Sequence, residues 1–122
     1  MRGQSPCGLW CWAGATAAAF DLLKMNECDG VVKPEWWNDE ELKALSARVV
    51  RAAPNDARAH SMRADVLSEM GGGAWEADPR SAAELKEAAA LFDRSAALSN
   101  APAVKASKAS LADQCRRLAE TM

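Results

Sequence analysis

Apolar positions along this chain recur in steps of three and four residues, and no stretch alternates every second residue for long enough to make a strand. Leu42, Leu45, Val49 and Ala52 trace one stripe; Ala59, Met62, Val66, Leu67 and Met70 trace a second; Leu85, Ala88, Ala89 and Phe92 a third. Val104, Leu111, Cys115, Leu118 and Met122 lie at offsets 0, 7, 11, 14 and 18, one continuous helical face. Nearer the start, Leu9, Trp12, Thr16, Ala19, Phe20 and Leu23 keep the same period. The pattern predicts an all-α chain of about five helices.

The ends of these stripes carry helix punctuation. Ser5-Pro6 supplies an N-cap followed by proline at the first helical position, opening a helix over about 6–27 that Cys28-Asp29-Gly30 closes. Pro34 holds the residues before it extended or irregular. Asn38 is placed to cap a helix over about 38–53, with Glu41 reaching back to its amide and Trp37 and Leu42 at the two positions of a hydrophobic staple. Asp39, Glu40 and Glu41 set negative charge at the positive end of that helix, and being consecutive they point different ways around it. Asn55 caps a third helix, about 56–70, which Gly71-Gly72-Gly73 stops. Ser81 and Glu84 make a capping box for a helix over about 81–98, and Pro102 begins the last, about 102–120.

A turn as short as Pro54-Asn55-Asp56 forces antiparallel neighbours, and hairpins of this kind stack side by side. The phrase Pro54-Asn55-Asp56-Ala57 and the residues after it, to Leu67, resemble the tetratricopeptide repeat (TPR) family. In that resemblance His60 stands in the Trp slot, Arg63 in the Leu slot, Ala64 in the small-residue slot and Leu67 in the Tyr slot. Ala88 and Phe92 match the Ala-x₃-aromatic pair of a second repeat helix, while Leu42 and Ser46 occupy those slots upstream. Trp10, Ala13 and Gly14 resemble the start of a repeat. The pairing Ala falls at 88 where the family spacing puts it at 76, so GGGAWEADPRSA reads as an insertion between paired helices. The resemblance implies a right-handed stack of two hairpins and one extra helix, a single domain over 1–122. The chain's 27 alanines allow close helix approach at many places.

Composition narrows the function. Net charge of −2 and a pI near 5.4 leave no basic stripe for nucleic acid. No apolar run is long enough for a membrane span. The longest uncharged run, between Arg2 and Asp21, has one basic residue in front and continues straight into Asp21-Leu22-Leu23-Lys24. It reads as a mature helix, with a secretory signal cleaved after Ala15-Thr16-Ala17 as the competing reading. Four cysteines without tight framework spacing fit an intracellular, cytoplasmic chain.

No catalytic constellation emerges. Cys7 and Cys11 share a helix face and Cys28 could join them, yet there is no CxxC pair and the lone histidine lies in another hairpin. Small buried thiols account for these cysteines, and Cys115 sits on an apolar stripe. His60 has no nucleophile or orienting acid nearby, so packing in the Trp slot explains it. Gly71-Gly72-Gly73 lacks the Lys-Ser/Thr of a phosphate loop. The expectation is a chain that is not an enzyme and holds no metal or cofactor.

What is left is surface. Arg58, Ser61, Asp65 and Ser68 share one polar face of the third helix, at offsets 0, 3, 7 and 10. By the TPR resemblance, the first helix of a hairpin lines a groove that receives a peptide, which makes these four the groove candidates. Lys105, Lys108 and Arg116 add positive charge to the same wall. Trp36, Trp37 and Trp75 lie outside helix interiors; the staple explains Trp37, whereas Trp36 and Trp75 are candidate partner anchors. The expected function is a protein-interaction module or adaptor. Two alternatives stand beside it, a subunit docked permanently in a larger complex and a thiol- or metal-dependent enzyme using Cys7, Cys11 and Cys28.

Overall fold

The structure, a computed structural model, describes residues 6–25, 35–68 and 75–122, with side chains of the first helix over 12–24. Five helices occupy the described residues: α1 (Pro6–Met25), α2 (Asp39–Ala52), α3 (Ala57–Ser68), α4 (Ala82–Leu98) and α5 (Pro102–Glu120). There is no strand among them. Each helix packs on the next in chain order, and α1 also packs on α3, so α3 belongs to two three-helix groups.

The helix ends follow their local chemistry. Asn38 accepts a hydrogen bond from the Glu41 amide at 3.0 Å, and its side-chain nitrogen donates to the Glu35 carbonyl at 2.9 Å. Ser81 and Glu84 form the full reciprocal capping box, at 3.1 and 3.0 Å. The start of α3 differs from expectation. The carboxylate of Asp56, not the side chain of Asn55, accepts from the Arg58 amide at 3.1 Å, and α3 begins one residue later than predicted. Asn55 instead receives a hydrogen bond from Arg94. Ser5, Met70 and Gly71–Gly73, assigned to helix ends and stripes above, lie outside the described residues.

Two apolar clusters make the core. The first joins α1, α2 and α3 through Ala13, Ala17, Phe20, Trp37, Leu42, Leu45, Val49, Ala59, Met62, Val66 and Trp75. Its centre is aromatic: Trp37 lies 5.4 Å from Phe20 and 5.8 Å from Trp75, ring centre to ring centre, and Phe20 lies 5.9 Å from Trp75. Tilted and edge-on arrangements at these separations suit the ring quadrupoles. The second cluster joins α3, α4 and α5 through Ala64, Leu67, Ala88, Ala89, Phe92, Ala112 and Cys115. Ala64, Ala88 and Phe92 share this cluster, and Leu91 and Leu111 pack against its edge.

Two stripes are turned from their expected faces. In α1 the buried edge is Ala13, Ala17 and Phe20, while Trp12 is 42% exposed and Thr16 and Ala19 are half-buried. The alanines let α1 approach its neighbours closely, which swings the bulkier Trp12 to the flank. In α5 only Leu111, Ala112, Cys115 and Ala119 face inward; Val104, Leu118 and Met122 are exposed. Among the described residues α5 packs mainly on α4, so one narrow edge suffices to bury it.

Charged side chains pin the segment ahead of α4. Arg80 is buried and forms an ion pair with Asp39, forty-one residues away, using both of its terminal nitrogens. The same guanidinium donates to the carbonyls of Val66 at 2.9 Å and Asp78 at 3.3 Å. The Trp75 indole donates to Asp39 at 3.0 Å, and Lys43 reaches both Asp39 and Glu84. Asp39 thus does more than charge the first turn of α2. Hydrogen bonds from Arg80 and Trp75 hold its carboxyl well below the usual carboxylate range, against the cost of burial.

Candidate functional site

Four helices, α1, α3, α4 and α5, together with the turn before α3, border an open recess of about 510 Å³. Its lining mixes polar and apolar groups: Gly14 and Asp21 from α1, Asp56 from the turn before α3, Ala57, Arg58 and Ser61 from α3, Ser95 from α4, and Val104 and Lys108 from α5. The local reasons are plain from helical geometry. Ala13, Ala17 and Phe20 point α1 into the core, so Gly14 and Asp21, one position further round, face the recess. On α3, Ala59 and Met62 are buried, which turns Arg58 and Ser61 to the same space. A Cβ added at Gly14 meets nothing within 4 Å, so that wall is open.

The charges are arranged in depth. Asp65 lies deepest, 9% exposed, with the Lys24 ammonium 3.2 Å from its carboxylate. Burial pushes the Asp65 carboxyl above its usual range, with Lys24 and Lys108 acting in the opposite direction. Asp21 is half-buried and has no ion pair among the described residues. Burial and then the neighbouring Asp65 push its carboxyl up too; Arg58, Lys24 and Lys108 offset part of this without touching it. Lys108 donates to Ser61 Oγ at 2.8 Å and sits 5.8 Å over the Phe92 ring. Ser95 donates to the Ala57 carbonyl at 2.8 Å, fixing the first turn of α3. Arg58 is exposed, and its side chain has no partner among the described residues.

The candidates from the third helix separate by depth. Arg58 and Ser61 line the recess, and Lys108 joins them as the sequence expectation had it. Asp65 is behind them in the Lys24 ion pair, and Ser68 is buried, its hydroxyl 3.5 Å from the Asp65 carbonyl. Arg116 is elsewhere, paired with Asp93 and Asp113, and Lys105 is exposed outside the recess lining. Trp75 is a core side chain with its indole satisfied by Asp39, which removes it as an exposed partner anchor. Trp36 is half-buried against the first cluster, edge-on to Trp37 at 5.8 Å.

His60 is buried, and its Nε2 lies 2.7 Å from the Pro54 carbonyl; a carbonyl only accepts, so Nε2 carries the proton and ties the helix to the turn before it. Cys115 is buried in the second cluster, and burial raises its thiol, the condition of an inert cysteine. Among the described residues no group of three His, Cys, Asp or Glu converges to hold a metal. The side chains of Cys7, Cys11 and Cys28 lie outside the described residues. No described helix is long and apolar enough to cross a membrane.

Asp21, Asp56 and Ser95 line the recess and were not among the candidates read from the sequence; of these Asp21 bears most on its charge. The signal was present in the helical spacing from Gly14 to Asp21, two turns apart on one face of α1, but it depended on knowing which face was buried. Compared with protein families, curated proteins and solved structures, the chain matches none.

Proposed function

We propose that this chain is a non-catalytic protein-interaction module, a TPR-like stack whose α1–α3–α5 recess receives a segment of a partner protein. The observation that carries this reading is the pair of opposite charges on facing walls, Asp21 on α1 and Arg58 on α3, neither in an ion-pair contact among the described residues. A carboxylate held half-buried without an ion pair is a cost to the free protein, and a bound segment supplying donors to Asp21 and acceptors to Arg58 removes it. The mixed lining suits a peptide, which offers both kinds of group along its backbone.

Gly14 provides the test. Because its Cβ position is open, Gly14→Leu places a side chain toward the recess and replaces a poor helix former with a good one. Affinity capture from the native source is compared for the parent, Gly14→Leu and Arg58→Glu. A partner lost from both variants, with melting temperatures at or above the parent's, is the expected result. A partner retained by both overturns the recess reading. A second reading, a subunit held permanently in a larger complex, draws on the exposed Leu22, Leu118 and Met122. It expects the isolated chain to aggregate, whereas a free-standing module is monomeric.

A further inference from the structure

α1 has a depression on each flank. Opposite the recess, a groove of about 320 Å³ runs between α1 and α2, lined by Trp12, Ala15, Thr16, Ala19, Trp36, Leu45 and Arg48. Its floor is Leu45, a member of the first core cluster, and its walls are two indoles. Trp36 is held in place by its edge-on contact with Trp37, which is itself locked against Phe20 and Trp75. Trp12 is 42% exposed. The Thr16 hydroxyl already donates to the Trp12 carbonyl at 2.8 Å, so it asks nothing of an occupant.

One charged side chain lines this groove, Arg48, exposed and without an ion pair among the described residues. A preorganised tryptophan beside an open arginine over an apolar floor is the composition of a binding hot spot. It specifies its occupant by charge and shape: an apolar side chain between the indoles and a carboxylate for the guanidinium. The groove runs between two helices, and on a helix an apolar knob and a carboxylate one turn apart project from the same face.

We propose that the Trp12–Trp36 groove docks a helical segment of another protein bearing a large apolar residue and, one turn away, an acidic one. The site is separate from the α1–α3–α5 recess and stands whether or not that recess binds a peptide.

The test uses two blocked alanine-based helical peptides sharing a central Phe, one with Glu and one with Lys a turn further on. Fluorescence anisotropy titrations are expected to show the Glu peptide binding about tenfold tighter than the Lys peptide. Arg48→Glu is expected to invert that order at unchanged melting temperature, since Arg48 is exposed and unpaired. Trp12→Ala is expected to weaken both peptides, while Gly14→Leu, on the other flank, leaves both unchanged. Equal binding of the two peptides, failure of both to bind, or an order unaltered by Arg48→Glu overturns the proposal. So does a concentration-dependent dimer that Trp12→Ala dissociates, which would assign the groove to a second copy of the chain.

Discussion

The two halves of this core are built on opposite plans. Between α1, α2 and α3 the helices are held by large aromatic rings, Phe20, Trp37 and Trp75, and by the Asp39–Arg80 ion pair. Between α3, α4 and α5 they are held by alanines at close approach, with Phe92 as the one aromatic ring. Alanines are buried in both halves, Ala13, Ala17 and Ala59 among them in the first, so the difference lies in the rings that the first half adds. The Trp12–Trp36 groove belongs to the aromatic side of this division, whereas the recess spans both halves, with Ser95, Val104 and Lys108 on its wall.

That contrast can be broken at its centre in each half. Trp75→Ala removes a core ring and the indole donor to Asp39, and Phe92→Ala empties the middle of the alanine cluster. Each is expected to cost about 3–5 kcal/mol, read from urea denaturation. The sharper difference is in peptide binding, because only Trp75→Ala disturbs the wall that supports Trp36.

Arg80→Ala comes next and tests the ionic part of the aromatic half. It strands a buried carboxylate, at a cost of about 3–5 kcal/mol near neutral pH. The sign of the pH dependence follows from Asp39. A carboxyl held lower in the folded chain than in the unfolded one contributes stability above the ordinary carboxylate range and loses it as pH falls through the folded value. The parent is thus expected to lose stability on acidification, and the Arg80→Ala variant to show a flatter profile in thermal melts.

Ala64→Leu probes the close-packed half. Ala64 is fully buried between α3, α4 and α5, and the added carbons have no space, so about 1–3 kcal/mol is expected. The same substitution made at Gly14 is expected to be neutral or stabilising, which measures directly how differently the two halves tolerate bulk.

The smallest effect is at Asp21. Its carboxyl is raised, so the folded chain favours the protonated form and stability declines as pH rises through the folded value. Asp21→Asn removes that decline, and a small rise in melting temperature near neutral pH is the expected outcome. A rise in stability accompanied by lost partner binding would mark Asp21 as a residue kept for recognition.

The helices and most of their ends were legible because capping is local. Asn38, Ser81, Glu84 and Pro102 act within a few residues of themselves. Leu85, Ala88, Ala89 and Phe92 were legible as a buried face from their helical spacing. Arg80 was not, because its partner is forty-one residues away and nothing in a window around it signals Asp39. Trp75 was misplaced for the same reason: a tryptophan outside a helix reads as available until its distant partner is known. The faces of α1 and α5 turned on the same kind of non-local fact. A helical stripe wider than the contact it serves, such as Val104 to Met122, does not say which of its edges will find a neighbour. Of the recess, Arg58, Ser61 and Lys108 were named from one helix face and a charge argument, whereas Asp21 needed the orientation of α1.

α3 lends residues to both cores at once. Ala59, Met62 and Val66 belong to the aromatic cluster, Ala64 and Leu67 to the alanine cluster, and Arg80 grips the Val66 carbonyl between them. Neither half can come apart while leaving α3 at rest, so the chain is expected to unfold in one concerted step. In native-state hydrogen exchange, the amides of Met62 to Leu67 should open only with the whole molecule, while those at the free end of α5 open locally. α3 is in this sense the keystone, since it is the helix that contributes to both apolar clusters.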